Sequence, residues 1–226
     1  MLSLKTISTG SKGNCYLLST ESETLVLDCG VPIKEIKKAL DFNVARICGV
    51  LCSHGHQDHC KSESDFLNMG IQVFRPYDEQ ITCYLATKCG PFMVQAFKLP
   101  HNGTQNYGFL ITVDGQKILY MTDFEYCQYT FKNQKINHIL IECNYQNKYV
   151  NCDLPNYEHK IRGHCELETC KGFIETNKSE ALKTVLLLHM GGGTCDPTEC
   201  VEEIRKITDA NVTVDYARKG LGLELK

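Results

Sequence analysis

The sequence lacks three features that would each point to a different class of protein. It has no excess of positive charge, because 24 Lys and Arg residues stand against 27 Asp and Glu residues, a net charge of −3. No stretch approaches the roughly 18 uninterrupted apolar residues of a membrane span, and Met1 to Gly13 lacks the charged-then-apolar pattern of a signal peptide. These absences disfavour a long nucleic-acid duplex or a membrane as partner, and we expect a soluble cytoplasmic protein.

The 14 cysteines lack the two-residue spacing of a zinc ribbon or a redox pair. Their tightest pairs are Cys48 with Cys52, Cys165 with Cys170 and Cys195 with Cys200. Because they are scattered along a chain without an export signal, we expect reduced thiols, most of them small buried apolar residues.

Repeats, low-complexity tracts and Pro/Ser-rich linkers are also missing, which predicts one domain over residues 1–226. Strand-like apolar runs alternate with helical patterns in both halves. The first half predicts three antiparallel strands at Leu2 to Ile7, Cys15 to Leu18 and Leu25 to Leu27, a helix at Pro32 to Leu40, and a buried strand at Ile47 to Cys52.

The second half predicts a strand at Phe92 to Leu99 and a hairpin, Tyr107 to Val113 with Lys117 to Met121, around Asp114-Gly115. It continues with strands at Ile139 to Glu142, Thr184 to Leu188 and Val212 to Tyr216, the last closing the chain, and helices at Glu166 to Thr176 and Pro197 to Ile207. Strand-rich halves with inserted helices favour an α/β fold with two facing sheets covered by helices, a four-layer αββα sandwich.

Four side chains of metal-ligating types follow the predicted strand Ile47 to Cys52 within six positions: His54, His56, Asp58 and His59. Imidazole and carboxylate groups are donors that Zn²⁺, Mn²⁺ and iron ions accept. With eight histidines in 226 residues, three in six positions are improbable by chance. We therefore expect a metal site here, with His54 and His56 directed at one metal and Asp58 and His59 at a second.

This pattern resembles the HxHxDH signature of the metallo-β-lactamase superfamily, and the resemblance extends from Ser3 to nearly the C-terminus. It implies that Asp28 supports the metal loop by hydrogen bonds and that Asp123 bridges two divalent metal ions. The expected metal is Zn²⁺, with Mn²⁺ as the alternative. The implied ligands are His54, His56 and His101 for one metal and Asp58, His59 and His189 for the other.

The residues after His101 distinguish branches of the superfamily. Thioesterase, lactonase and lactamase members carry a GHTxGH-like element there, whereas this chain has His101-Asn102-Gly103-Thr104 and, in a strand, Tyr107-Gly108. This is similar to the phosphodiesterase branch, which includes transfer-RNA 3′-processing endonucleases and small single-domain relatives.

The same branch implies catalytic roles for Asp58, Glu142 and His164, the last in Gly163-His164 opening a helix. A glutamate that holds a histidine protonated suits phosphodiester cleavage, because the leaving alkoxide needs a proton. His138 and His159 match no motif, and we expect them on the surface.

Two features bear on the substrate. Transfer-RNA processing enzymes carry a long Gly/Pro-rich arm that grips the RNA, and this chain has no such insertion. The start, Ser8 to Cys15, resembles the GSxGN start of small bacterial relatives reported as DNA exonucleases and of phage anti-Pycsar phosphodiesterases, which destroy cyclic nucleotide immune signals. We expect a small nucleotide substrate, a 3′,5′-cyclic mononucleotide opened to a nucleoside monophosphate, and a homodimer, since single-domain members of the branch commonly pair.

Three alternatives stay open. A DNA or RNA nuclease of the same branch would use the same metal ligands. A protein that sequesters a nucleotide without cleaving it is disfavoured by the intact ligand set, and an acyl or thioester hydrolase by the missing GHTxGH element.

Overall fold

The computed structural model describes residues 1–78, 86–153 and 155–226. Their contacts group them into two compact units, unit 1 formed by Met1–Ala96 with Ala217–Lys226 and unit 2 by Phe97–Tyr216. The single domain predicted over residues 1–226 stays a prediction. Within the described ranges, no helix has the length and apolar character needed to cross a bilayer.

Thirteen strands and six α-helices are present in these ranges. The strands are β1 (Leu2–Ser8), β2 (Cys15–Ser19), β3 (Thr24–Leu27), β4 (Ile47–Leu51), β5 (Val73–Phe74), β6 (Ala86–Cys89), β7 (Phe92–His101), β8 (Thr104–Val113), β9 (Gln116–Met121), β10 (His138–Glu142), β11 (Thr184–Leu188), β12 (Thr213–Tyr216) and β13 (Gly222–Leu225). The helices are α1 (Ile33–Ala39), α2 (Gln57–Cys60), α3 (Glu63–Asn68), α4 (Tyr157–Gly163), α5 (Leu167–Asn177) and α6 (Pro197–Ile207).

The first sheet has the strand order β13-β1-β2-β3-β4-β5. Strands β1, β2 and β3 pair antiparallel, as predicted, whereas β4 pairs parallel with β3 and β5 parallel with β4. Helix α1 follows Pro32, which is tolerated at a helix start because its missing N–H needs no partner there. Its buried Ile36 packs in one apolar cluster with Val26, Val50 and Phe66.

The second sheet has the order β12-β11-β10-β9-β8-β7-β6. The hairpin predicted around Asp114-Gly115 is confirmed, and both turn residues have positive φ angles, 49° and 75°, as a tight hairpin requires. From β9 to β12 the strands run parallel, with α5 and α6 in the connections. The carboxyl ends of β9, β10 and β11 therefore share one edge.

Three sequence predictions about this fold are wrong. The strand at Val212 to Tyr216 does not close the chain, because β13 follows and pairs antiparallel with β1. Gly163 ends α4 rather than opening a helix, and His164 has extended backbone (φ −138°, ψ 154°). His138 is fully buried, because its strand β10 lies between β9 and β11.

His138 is accommodated as a neutral side chain. Its Nε2 lies 2.6 Å from the Gln116 Oε1, and burial, with Lys183 nearby, lowers its pKa to about 4. His159, in contrast, is exposed, as expected.

The described cysteines are all free thiols, and eight of these thirteen are buried. The prediction that most cysteines are buried is therefore confirmed for the part of the chain that the structure describes, and their reduced state stays a prediction.

Backbone contacts fix the segment that carries the predicted metal ligands of unit 1. The Asn14 amide donates to the Asp58 carbonyl (2.7 Å), and the Cys29 amide donates to the His59 carbonyl (2.8 Å). Gly30 lies so close that a Cβ atom there would be 1.7 Å from the Asp58 carbonyl oxygen. Only glycine fits at this approach, so the Leu27-Asp28-Cys29-Gly30 segment determines where Asp58 and His59 lie.

We predict that Gly30→Ala lowers the free energy of unfolding by about 1–3 kcal/mol or more, because backbone must move to accept the methyl group. Gly172→Ala is the matched control, since a Cβ at this exposed position of α5 meets nothing within 4 Å. That variant should gain about 0.5–1 kcal/mol from helix propensity. Denaturant unfolding measures both, and equal stabilities of the Gly30 variant and the parent would contradict the close-packing argument.

Candidate metal centre

Unit 1 gathers its candidate ligands where two parallel strands end. Asp28 follows β3 directly, and Ser53 and His54 follow β4 by two and three residues. Because β3 and β4 run parallel, these residues meet at one edge of the sheet. Asp58 and His59 lie on the short helix α2, whose N-cap residue is His56.

Asp28 orients His59. The fully buried carboxylate lies 2.7 Å from the His59 Nδ1 and accepts hydrogen bonds from the Ser53 amide (2.8 Å) and hydroxyl (3.0 Å). A histidine that donates Nδ1–H to a carboxylate keeps its lone pair on Nε2, the arrangement found around metal-ligating histidines. These are the bonds expected of a residue that supports a metal loop.

Asn14 is a residue of this cluster to which the sequence analysis gave no role. Its side-chain oxygen accepts from the Gly10 amide (2.9 Å), and its Nδ2 lies 2.9 Å from the His59 Nε2. Asn14 is fully buried. The one sequence feature that could have predicted a role for Asn14 is its place at the end of the GSxGN pattern.

The other two histidines of unit 1 face each other. The His54 Nε2 and the His56 Nδ1 are 3.0 Å apart, and His54 is buried whereas His56 is exposed. Asp58 is partly exposed, with an oxygen 3.6 Å from the His59 Nε2. The unit 1 cluster thus offers three imidazoles and one carboxylate.

Unit 2 gathers a second cluster at the shared edge of its parallel strands. Glu142 is the last residue of β10, His189 follows β11 directly, and Asp123 comes two residues after β9. Together with His164, they have potential ligand atoms that all lie within 4.8 Å of one another.

Glu142 is the most heavily hydrogen-bonded carboxylate of this cluster. One oxygen accepts from the amides of Phe124 (3.0 Å) and Cys165 (3.1 Å), and the other lies 2.8 Å from the His164 Nδ1 and 3.1 Å from the His189 Nδ1. Burial would raise the pKa of Glu142, but the adjacent His164, with hydrogen bonds from both histidines, lowers it overall. Glu142 is therefore an ionised, fully buried group that holds His164 through Nδ1.

Asp123 and His189 form a second buried pair. The His189 Nδ1 lies 2.5 Å from an Asp123 oxygen, which also accepts from the Thr122 hydroxyl (2.7 Å). Burial alone would lower the pKa of His189, but Asp123 and Glu142 outweigh it and raise the pKa to about 10. The raised pKa reflects the negative charge of Asp123 and Glu142 around the ring. A bound metal cation would compensate the same charge.

His101, the last residue of β7, is positioned by backbone. Its Nδ1 lies 2.7 Å from the Gly163 carbonyl oxygen, to which it donates, and burial lowers its pKa. The neutral ring therefore presents its lone pair on Nε2, as a metal ligand requires.

Three of the residues at these strand ends adopt left-handed backbone. The φ angles are 54° at Asp28, 51° at Asp123 and 46° at His189. Such conformations cost free energy for residues other than glycine, and they cluster at functional sites. The strained backbone therefore occurs at three residues to which the family resemblance gives roles in the metal site.

The donors present fit divalent metal ions. Every predicted ligand supplies an imidazole nitrogen or a carboxylate oxygen, and His59 and His101 have their outer N–H groups held by a carboxylate and a carbonyl. Unit 1 brings together His54, His56, Asp58 and His59, and unit 2 brings together Asp123, Glu142, His164 and His189. The division of the ligands between two metals stays a prediction.

Comparisons with known proteins agree with this arrangement. The sequence model of the metallo-β-lactamase superfamily matches residues 8–62, which include Asp28 and the whole unit 1 cluster. No curated protein sequence matches the chain. The predicted resemblance to the superfamily is confirmed over these residues by this match.

Three solved structures are similar over nearly the whole chain. YhfI from Bacillus subtilis, a metallo-β-lactamase fold protein, has a TM-score of 0.74 and 17% identity over 98% of each chain. The short form of human tRNase Z has a TM-score of 0.65 and 15% identity over 99% of each chain. A diphosphatase from the PhnP family has a TM-score of 0.64 and 13% identity over 100% of this chain and 98% of its own. The predicted metallo-β-lactamase sandwich fold is confirmed.

We predict that Asp28→Asn weakens Zn²⁺ binding by about 10- to 100-fold, the usual cost of losing a group that orients a ligand. Asp65→Asn, at an exposed position of α3, is the matched control. Competition with a chromophoric chelator measures both affinities. Unchanged Zn²⁺ affinity in the Asp28 variant would show that the Asp28–His59 pair does not prepare a metal ligand.

Proposed function

We propose that the chain is a metal-dependent phosphodiesterase that hydrolyses a small nucleotide, a 3′,5′-cyclic mononucleotide opened to a nucleoside monophosphate. The proposed metal ligands are the residues that the sequence predicted: His54, His56, Asp58, His59, His101, Asp123 and His189. The proposed metals are two divalent ions, with Zn²⁺ first and Mn²⁺ second.

The observation that carries this proposal is the Glu142–His164 pair. Glu142 is buried, ionised and bonded to His164 at 2.8 Å, so it fixes the His164 ring through Nδ1 and leaves Nε2 for proton transfer. His164 remains partly exposed, with 13% of its side chain accessible. A histidine held this way can donate the proton on Nε2 to a leaving alkoxide, which is the demand of phosphodiester cleavage.

Two divalent ions would polarise the phosphoryl oxygens and lower the pKa of bound water enough to supply a nucleophile at neutral pH. The side chains of the two clusters would hold and orient these ions. Glu142 would hold the His164 ring in place for the proton transfer, and Asp28 would keep the His59 lone pair on Nε2.

A pocket beside His101 favours a small substrate. Its volume is about 460 Å³, and its lining includes Lys98, Arg162, Asn102 and Gln105. Sites for small molecules commonly have volumes of about 300–1,000 Å³. Two cations suit a phosphate group and two amides suit the hydrogen-bonding edge of a base, whereas a net charge of −3 does not suit a polymer of phosphates.

The names of similar structures support phosphoryl chemistry, since they include a tRNase and a diphosphatase. The similarity to a tRNase supports a nuclease activity as the second candidate function. A nucleotide-sequestering protein and an acyl or thioester hydrolase are less favoured, because neither needs a glutamate-held histidine beside the metal ligands. A homodimer and a role in phage counter-defence stay predictions that follow from the resemblance, and a cytoplasmic location stays a prediction from the sequence composition.

We predict that His164→Ala slows cleavage of phosphodiesters with poor leaving groups by about 10²- to 10⁴-fold, the usual contribution of a general acid. Cleavage of bis(p-nitrophenyl) phosphate should fall far less, because nitrophenolate hardly needs a proton. Glu142→Gln should show the same contrast if the two residues act as a unit. Equal losses on both substrates would assign His164 a binding role instead.

The substrate class is tested by turnover of cyclic mononucleotides, duplex DNA, transfer RNA and a thioester across a range of salt concentrations. We expect cyclic mononucleotides to be opened with weak salt dependence, because one phosphate releases few counterions. Lys98→Ala should raise KM, whereas Lys88→Ala, an exposed lysine on β6 outside the pocket, should not. Salt-sensitive degradation of DNA or RNA alongside inert cyclic nucleotides would favour the nuclease, and thioester turnover alone would favour the acyl hydrolase.

A further inference from the structure

Unit 2 contains a cluster of thiols that the proposed function does not use. Cys143 directly follows Glu142, Cys195 lies in the loop between His189 and α6, and Cys200 lies on α6. The three sulfur atoms are within 4.8 Å of one another, and those of Cys195 and Cys200 are 3.2 Å apart. We define these three residues as the thiol cluster.

The arrangement of the thiol cluster differs from that of scattered core cysteines. Two segments that are distant in sequence, the end of β10 and the loop that enters α6, direct three sulfur atoms to one point. Cys195 is only half-buried, which gives an ion access from solvent. Contact with Cys143 raises the pKa of Cys195 to about 12, so the thiols carry their protons when no cation is bound.

We propose that the thiol cluster binds one divalent d¹⁰ cation of the zinc class through three thiolates. Thiolates select Zn²⁺ and softer ions over Mg²⁺, Ca²⁺ and Mn²⁺. On binding, three S–H bonds break, three sulfur–metal bonds form, and three protons pass to solvent. The product has a net charge of −1 and a fourth coordination position that water can fill.

Lys160 is placed to compensate that charge. Its ammonium is half-buried and donates to two neutral oxygens, the Asn144 Oδ1 (2.9 Å) and the Thr194 Oγ1 (3.3 Å). Asn144 and Thr194 are the sequence neighbours of Cys143 and Cys195. Lys160 interacts electrostatically with Glu142 and, to a smaller extent, with Cys195, so an anionic metal–thiolate group would form beside a cation that is already in place.

The bound cation would be structural, joining the end of β10 to the loop that follows β11. The same two segments carry Glu142 and His189, and Asn144 connects them by donating to a Glu142 oxygen (3.3 Å) and the His189 carbonyl (2.9 Å). A cation at the thiol cluster would therefore stiffen the backbone that positions both residues.

Titration of the reduced protein with Cd²⁺ tests the proposal, because thiolate–cadmium bonds give an ultraviolet charge-transfer band that nitrogen and oxygen ligands do not give. The signal therefore does not depend on whether the proposed catalytic metals bind. We expect one thiolate-bound Cd²⁺ per chain, a raised Tm, and loss of the band in Cys195→Ser and Cys200→Ser. Cys127→Ser and Cys152→Ser change cysteines outside the thiol cluster and should retain it.

X-ray absorption by the Zn²⁺-loaded parent protein provides a test that needs no variant. A sulfur shell at about 2.3 Å would support the site, and a shell of nitrogen and oxygen alone would overturn it. Absence of the cadmium band from the reduced protein would overturn it as well. A cadmium band that survives both Cys195→Ser and Cys200→Ser would also overturn the proposal. The same holds if Cys195 and Cys200 form a disulfide in the purified protein and its reduction creates no Cd²⁺ binding.

Discussion

Buried carboxylates that must be satisfied by hydrogen bonds determine how both clusters are built. Asp28, Asp123 and Glu142 are almost completely buried, and an unpaired charge at that depth would be prohibitively unfavourable. Each carboxylate is bonded to a histidine Nδ1: Asp28 to His59, Asp123 to His189, and Glu142 to His164. The requirement for pairing therefore fixes the rings and leaves the Nε2 atoms for chemistry.

Strand direction explains why these residues meet. Parallel strands β3 and β4 end together in unit 1, and β9, β10 and β11 end together in unit 2, so residues far apart in sequence reach one edge of each sheet. At Asp28, Asp123 and His189 the chain leaves its strand in a left-handed backbone conformation, which costs free energy locally. Regular pairing in the strands and close contacts such as that at Gly30 hold the strained residues in place.

The long strands, α5, α6 and the gathering of the candidate metal ligands of unit 1 were predictable because apolar periodicity and the HxHxDH motif are local signals. Helix α6 was predicted with its observed bounds, since Asp196 caps it and Pro197 begins it. Short strands such as β5 and β13 depend on pairing partners elsewhere in the chain. They contain too few residues to show an apolar periodicity. The burial of His138 and the contact between Asn14 and His59 were unpredictable for the same reason, because each depends on which strands and loops become neighbours.

The central claim is that His59 and His189, each held by a buried carboxylate, are metal ligands of a phosphodiesterase together with His54, His56 and His101. Anomalous diffraction from crystals of the protein grown with Zn²⁺ tests it most directly, because it locates each ion among the side chains. The account predicts two ions about 3.5–4 Å apart, coordinated by imidazole Nε2 atoms that include those of His59 and His101. Anomalous density absent from both histidine–carboxylate clusters would contradict it.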